Sequence, residues 1–341
     1  MATMRDVAEL AHVSIATVSF TVNNTKPVSP ATRARVEQAM RQLGFRRNAV
    51  ARALASKRTR IIAVLYPALQ HRFSGTIVTF FTSAAKTATD HGYNLVLWPI
   101  SNDADQITEV TSGGLVDGVL LMAVQMDDPR VDQLLESGTP FALIGRTRDP
   151  TGLLYVDIDF ENTVIAAIDY LAELGHRNIC LLNGTVPSSE LDNYGPAIRA
   201  QTTYAATMAE RGLASMTISC DEIPAAGRTA AIEILERAPD TTAVIVMNEH
   251  AAFGLVSGLT RRGIRIPHDM SILSIFSSPD MAAMSDPQLT LLASPSTELG
   301  RMGVEALLDQ LDGRTKRNVQ ALVMCTFEDG QSTGPAPRHG A

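Results

Sequence analysis

The sequence predicts an α/β protein in two parts: a small all-α N-terminal headpiece, then a large core of doubly wound parallel sheet. Three observations carry this prediction. The first 45 residues contain the capping and breaking residues of three short amphipathic helices. From Ile61 onward, short apolar runs of β type alternate with helical stretches. Charge follows the same division: the whole chain is −7, but residues 1–60 carry +8 and the remainder −15. A basic head on an acidic body suits a phosphate-binding module attached to a body that nucleic acid repels.

With 341 residues and 45% hydrophobic content, the chain is long enough for two or three units with their own cores. No apolar run approaches the roughly 18–20 residues that cross a bilayer, and the opening "MATMRDVAEL" is too charged for a secretory signal. The expected location is the cytoplasm, with no membrane partner. Cys180, Cys220 and Cys325 are odd in number, far apart and each inside an apolar run. They read as buried free thiols rather than a disulfide framework or a metal site.

In the headpiece, Thr3 and Asp6 form a variant capping box, and Met4, Val7, Ala8 and Ala11 then recur at helical spacing. "HVS" makes a turn, Ser14 caps a second helix from Ile15 to about Val22, and "NNTKPVSP" breaks it. Ser29 and Pro30 start a third helix with the stripe Val36, Ala39, Met40 and Leu43, which Gly44 ends. Three short helices with a tight turn between the first two predict a helix-turn-helix, the second helix being the groove reader.

The stretch "TMRDVAELAHVSIATVSFTVN" resembles the headpiece of the lactose-repressor (LacI/GalR) family of bacterial transcription regulators, whose pattern is "DVA..A.VS..TVS..(L/V)N". "VSPATRARVEQAMRQLGFRRNAVARALAS" resembles the family's third helix and hinge. Two later blocks, "LAELGHRNICLLNG" and "TTAVIVMNEHAAFGLVSGLTRRGIRIPHDMSIL", resemble its core.

The resemblance implies residue roles. Ile15, Ala16 and Phe20 match positions that contact bases, the last commonly an Arg in the family; here all three are apolar. Guanine readout through residue 20 is therefore not expected. Ala or Phe can instead pack against a thymine methyl, or Phe20 can turn inward as core. Ser14, Thr17, Ser19 and Asn23 match backbone-contacting positions, Ser29 is counted with them, and phosphate contacts give register and affinity. Asn48, Ala51 and Leu54 match a hinge helix whose Leu wedges into the minor groove, with Arg47 in place of the usual Pro. A plain basic linker is the alternative.

In the core, "IIAVLY", "YNLVLW", "DGVLLMA", "FALIG", "NICLLNG", "MTISC", "AVIVMN" and "SILSIF" read as strands, and the intervening helices end at Gly92, Gly138, Gly175, Gly212 and Gly263. These are too many strands for one sheet. The resemblance implies two lobes of the type I periplasmic-binding-protein kind, with a ligand cleft at the strand C-terminal ends. The expected division is a headpiece at 1–46, a hinge at 47–60 and a core at 61–332. Within the core, the N-lobe is placed at about 61–159 plus 290–318, the C-lobe at about 160–289 plus 319–332, and 333–341 is read as a disordered tail.

For the cleft, the resemblance implies Asp159, Asn162 and Asn248 as polar anchors, Phe73 as a stacking aromatic, and Met122 in the lining. Two family anchors are missing: Ala200 stands where an Arg is usual, with Arg199 one position off, and Phe276 replaces an Asp. Losing a charged fork and a carboxylate argues against a simple monosaccharide in the usual pose and for a larger, less polar or differently oriented ligand. Asp157, Asp159 and Glu161 alternate along a strand end, but no His, Ser or Cys completes a catalytic or metal-binding set. "GGLVDG" is no dinucleotide fingerprint, and His176 reads as a helix C-terminal dipole partner. No enzyme activity or cofactor is expected.

The expectation is a cytoplasmic regulator that is released from a pseudo-palindromic operator by a carbohydrate-type effector. A homodimer is expected because the tail "DGQSTGPAPRHGA" lacks apolar heptads. A co-repressed or activating regulator, or a sugar-binding protein without a regulatory role, are the alternatives.

Overall fold

The first helix of the computed structural model, α1 (Met4–Leu10), starts where Thr3 and Asp6 satisfy each other's backbone amides, at 3.3 and 2.8 Å. Helix α2 (Ile15–Asn23) starts with Ser14 Oγ accepting the Thr17 amide at 3.1 Å, and α3 (Pro30–Gln42) with Ser29 Oγ accepting from Thr32 at 3.2 Å. Each cap pairs an amide that the helix itself leaves orphaned. The three helices enclose a small core of Val7, Ala8, Ala11, Val18, Val22, Val36 and Ala39. Leu43 lies outside this stripe: it is the C-cap of α3 and is 36% exposed, because the helical period has ended by then.

The structure describes residues 2–23, 26–45, 58–67, 74–100, 105–185, 193–314 and 319–337. The chain divides into two units, Met1–Thr59 and Arg60–Ala341. The expected hinge, with Asn48, Ala51 and Leu54, lies outside the described residues, as do Phe73 and the side chain of Asn23.

The second unit holds two six-stranded sheets. The first contains β1 (Ile61–Tyr66), β2 (Asn94–Pro99), β3 (Gly118–Leu121), β4 (Phe141–Ile144), β5 (Tyr155–Ile158) and β11 (Gln320–Val323), in the order β11-β5-β4-β3-β1-β2, all parallel. The second contains β6 (Asn178–Thr185), β7 (Ala214–Asp221), β8 (Ala243–Val246), β9 (Ser271–Ser277), β10 (Thr290–Ala293) and β12 (Thr326–Glu328), in the order β12-β10-β9-β8-β6-β7. Only β12 runs antiparallel, against β10.

Helices cover both faces of each sheet, so strand side chains are buried alternately up and down. On the first sheet, Ile62, Val64, Leu120 and Val156 face α4 (Gly75–Asp90) and α12 (Ser296–Leu311). Ala63, Leu65, Val119 and Leu143 face α5 (Asp105–Ser112) and α6 (Pro129–Ser137). On the second, Ile179, Leu181, Ile245 and Leu273 face α7 (Phe160–Glu173) and α8 (Gly195–Glu210). Cys180, Leu182, Val244 and Ile272 face α9 (Pro224–Arg237) and α10 (Glu249–Thr260), and the short α11 (Pro279–Ala282) joins the same core through Ala282. All three cysteines are free and buried. The five glycines expected to end helices all have positive φ, from 63° to 94°.

The lobe boundaries shift from the expected ones. Thr290–Ala293 pairs with β9 in the second sheet, and Gln320–Val323 pairs with β5 in the first. Each segment stays with the sheet whose ladder it completes, so the crossings come after the strands: beyond Ile158, Ala293 and Val323.

The tail also differs from expectation as far as residue 337. The Ala336 amide donates to Leu174 O at 2.8 Å, and Thr333 Oγ1 lies 2.8 Å from the Tyr170 hydroxyl. His176 holds this segment. Its fully buried ring contacts Thr242 Oγ1 through Nδ1 at 2.9 Å, and Ser271 Oγ and Gly334 O through Nε2, both at 3.0 Å. A carbonyl can only accept, so Nε2 carries the proton and Nδ1 accepts from Thr242. Burial lowers the pKa of His176, so this imidazole is a neutral linchpin rather than a charged partner of a helix dipole.

Helices α9 and α10 approach until backbone meets backbone. A Cβ on Gly254 would lie 1.9 Å from Pro224 O, and one on Gly227 2.0 Å from Ala251 O. Gly254→Ala should therefore force the pair apart and destabilise the chain by about 2–3 kcal/mol or more. Urea denaturation of the full chain measures this; an unshifted midpoint would mean that the contact relaxes freely.

Candidate functional site

Helix α2 turns Val18 and Val22 into the headpiece core and leaves other apolar side chains outside it. Ile15 is 46% exposed, and Ala16 is exposed. Phe20 is half-buried but no part of the core; Lys26 Nζ sits 5.0 Å from its ring centroid, within cation–π range. Ser14 Oγ is engaged with Thr17 Oγ1 at 2.9 Å as well as with its amide, and Ser29 likewise with Thr32. Ser14 and Ser29 are exposed, Thr17 and Ser19 half-buried.

In the second unit a cleft of ≈ 180 Å³ opens between the two lobes. Its wall is built from residues at or just beyond strand C-terminal ends: Tyr66 ending β1, Met122 after β3, Asp157 on β5, Glu222 after β7, Asn248 after β8 and Phe276 on β9. Doubly wound sheets bind ligands at this edge because side chains and helix N-termini converge there. Ala123 and Phe276, both in the wall, have φ of 53° and 59°. Non-glycine residues reach that region at a cost, and such strain gathers at functional sites. Phe276 is held by an edge-to-face contact with Phe160, at 4.7 Å.

The expected cleft residues separate into two groups. Met122, Asn248 and Phe276 line it. Asp159, Asn162 and Arg199 do not. Asp159 is the N-cap of α7, accepting the Asn162 amide at 3.1 Å and its Nδ2 at 2.7 Å. Arg199 donates to the carbonyls of Arg146 and Thr147 at 3.0 and 2.9 Å, across the lobe boundary. Arg146, from the first lobe, binds Glu161 of the second through Nη2 at 2.6 Å to both carboxylate oxygens and lies 3.5 Å from Asp157. The alternating acids are therefore a clasp and a cap, with no catalytic set between them.

A second connection crosses the cleft. Glu249 on α10 accepts the Gly75 amide of α4 at 2.9 Å, while its other oxygen takes Ser277 Oγ at 3.1 Å. Sequence reasoning missed Glu222, Glu249, Tyr66 and Tyr194; the first three end or closely follow runs read as strands, whereas Tyr194 precedes the helix Gly195–Glu210 and carried no such signal. The wall sets Asp157, Glu222, Asn248 and Glu249 among apolar side chains such as Met122, Ile144, Phe160 and Phe276. Ala200 and Tyr204 are buried in the lobe core, where the Tyr204 hydroxyl donates to Ile179 O at 2.6 Å.

Burial pushes the Asp157 carboxyl up to about 7, although Arg146 and Arg199 pull it down. Burial, reinforced by the charge of Glu249, pushes Glu222 to about 7 as well. Desolvation also raises the hydroxyls of Tyr66 and Tyr194, which therefore remain protonated donors. Among the described residues no group of His, Cys, Asp and Glu could hold a metal ion, and no helix is long and apolar enough to cross a membrane.

Residues 3–48 match the family model for bacterial regulatory proteins of the lacI family, and 168–333 match a periplasmic binding protein-like domain. Catabolite control protein A of Priestia megaterium is 30% identical over 319 residues, covering 92% of this chain and 93% of its own. The HTH-type transcriptional repressor CytR of Escherichia coli K12 is 29% identical, covering 98% and 97%. A solved complex of the transcriptional regulator CelR with cellobiose aligns with a TM-score of 0.72 at 27% identity, covering 97% of this chain and all of that one. The lac repressor dimer bound to operator and an anti-inducer aligns with a TM-score of 0.84 at 23% identity, covering 98% and 99%, a likeness of fold.

Because its pKa in the folded chain exceeds the usual 4.5, Glu222 contributes stability that is present below about pH 4.5 and lost as pH rises through about 7. Glu222→Gln removes that loss. The variant should gain about 1–3 kcal/mol on the parent between those limits, discounted for the openness of the cleft. Denaturation midpoints across the pH range test this; a difference that does not change with pH would sink it.

Proposed function

We propose, since this chain belongs to the LacI family of bacterial regulatory proteins, that it is a dimeric cytoplasmic repressor whose operator affinity is set by a small molecule in the inter-lobe cleft. Its relatives are transcription regulators rather than enzymes. The observation that carries the reading is the pairing, in one chain, of a capped helix-turn-helix with a two-lobe core whose cleft is walled by polar strand-end residues.

The headpiece supplies two kinds of contact. Charge in residues 1–60 binds phosphates without regard to sequence, releasing counterions. Selectivity then rests on α2, where Ile15, Ala16 and Phe20 present methyl and ring surfaces suited to thymine methyls. Two copies on a two-fold axis read two half-sites, which makes the operator pseudo-palindromic. Asn48, Ala51 and Leu54 act as the hinge wedge that a bent operator accommodates. The CelR structure holds cellobiose; for this chain the corresponding effector is a sugar or a sugar-related molecule. An effector that binds only one lobe arrangement shifts the population toward it, and the hinge pair separates in consequence.

Selection of bound duplexes from a random pool tests the operator reading. Affinity should fall steeply with salt, and the recovered half-sites should be rich in thymine at the base pairs facing α2. Phe20→Arg should move one position toward guanine, at about 1–3 kcal/mol per base pair, with fold and dimer intact. An unaltered consensus would remove Phe20 from the interface.

Leu54→Ala should weaken selected operators far more than random DNA, because only a kinked site uses the wedge. Equal losses on both would make residues 47–60 a tether.

A further inference from the structure

The cleft has an unbalanced carboxylate. The glycine contact between α9 and α10 brings their N-terminal ends together, with Glu222 just before one helix and Glu249 opening the other. Glu249 is satisfied by Gly75 and Ser277, and Asp157 by Arg146 and the Ile158 amide at 2.9 Å. Glu222 has no hydrogen-bond or ion-pair partner among the described residues. The described lining contains three carboxylates and no Lys or Arg. Beside them Asn248 is 2% exposed; its Oδ1 caps α10 by accepting from Ala251 at 3.0 Å, and its Nδ2 is a buried donor without a partner.

These two groups ask for different things. An orphaned amide donor needs an oxygen acceptor, and an unpaired carboxylate needs a donor and is best answered by a cation. A hydroxyl would hydrogen-bond Glu222 yet leave its ionised form beside the Glu249 carboxylate in a partly desolvated site. A protonated amine removes that imbalance, whereas a phosphate or carboxylate would enlarge it.

We propose that the cleft selects a small hydroxylated ligand carrying a protonated amine, the amine seated on Glu222 and a neighbouring oxygen accepting from Asn248 Nδ2, and that it rejects anionic ligands. This rests on reading the cleft as the effector site. The remaining ionisable groups facing this point are Asp157, Glu249, His250, Tyr66 and Tyr194, none of which supplies a fixed positive charge. Glu222 is therefore a specificity-determining residue, and Glu249 holds the lobes at the same edge.

The test uses full-length protein and three matched series, gluco, galacto and manno: each neutral hexose, its 2-amino-2-deoxy form and its 6-phosphate. Binding is followed by thermal shift and calorimetry, and operator release by fluorescence anisotropy. At least one amino sugar should bind at least tenfold tighter than its neutral parent. Glu222→Gln should bring the amino sugar down to the affinity of its neutral parent measured on the same variant, and Glu222→Asp, which keeps the charge, should retain part of the preference. Circular dichroism and operator affinity without ligand confirm that the variants are folded. A neutral hexose that binds as tightly as its amine, or no amine binding in any series, overturns the proposal. If that neutral hexose also releases the operator, the effector cleft stands and only the amine is lost. Binding of any of the 6-phosphates as tight as that of the matched amino sugar would also overturn it.

Discussion

The guanidinium–carboxylate clasp between Arg146 and Glu161 sets the terms for the rest of the core. It joins one lobe to the other beside two of the three chain crossings, and Arg199 reinforces it by donating to the Arg146 and Thr147 carbonyls. With each lobe built on its own sheet and its own two apolar layers, such polar contacts decide how the lobes face each other. Polar contacts suit that task, because their strength depends on geometry and solvent access far more than buried apolar area does. Glu249 bridges to Gly75 at the cleft itself, so a ligand entering the cleft meets a group that already holds the lobes together.

The headpiece works on a different scale. Among the described residues seven small buried side chains make its core, with Met4, Val13, Met40 and Phe45 packed against them, a small apolar area that leaves hydrogen bonds at the helix ends important. Every helix start is therefore capped by a side chain: Thr3, Ser14 and Ser29. Ser14 and Ser29 are also exposed on the surface expected to meet phosphates, so the same hydroxyls serve stability in the free protein and stand where backbone contacts would form. The apolar residues of α2 divide along the same line. Val18 and Val22 complete the core, while Ile15 and Ala16 stay outside it.

Local chemistry explains which expectations held. Capping residues, proline starts and glycine ends are decided by the chain within four residues, and all three headpiece helices and the five helix-ending glycines were legible for that reason. Strands with continuous apolar character on both faces were legible because burial on both faces demands it. Thr290–Ala293 and Gln320–Val323 were placed in the wrong lobe because membership of a parallel sheet depends on a ladder partner far away in sequence. His176 was misread for a similar reason: its partners, Thr242, Ser271 and Gly334, come from three distant segments.

The sequence by itself determined the division into a basic helix-turn-helix and an acidic two-sheet core, the family, and the strand ends at which the cleft opens. The division follows from periodicity and charge balance, and the two lobes and their cleft from the family that the motifs resemble; all of these are legible in short stretches of neighbouring residues. Only the tertiary structure decided which polar side chains reach the cleft. Asp159 and Arg199 looked available in sequence, yet one is consumed by a helix cap and the other by carbonyls of the opposite lobe. Glu222 and Asn248 were left with unmet charge and an unmet donor. A side chain's freedom is what remains after its neighbours in space have been satisfied, and those neighbours exist only once the chain has folded.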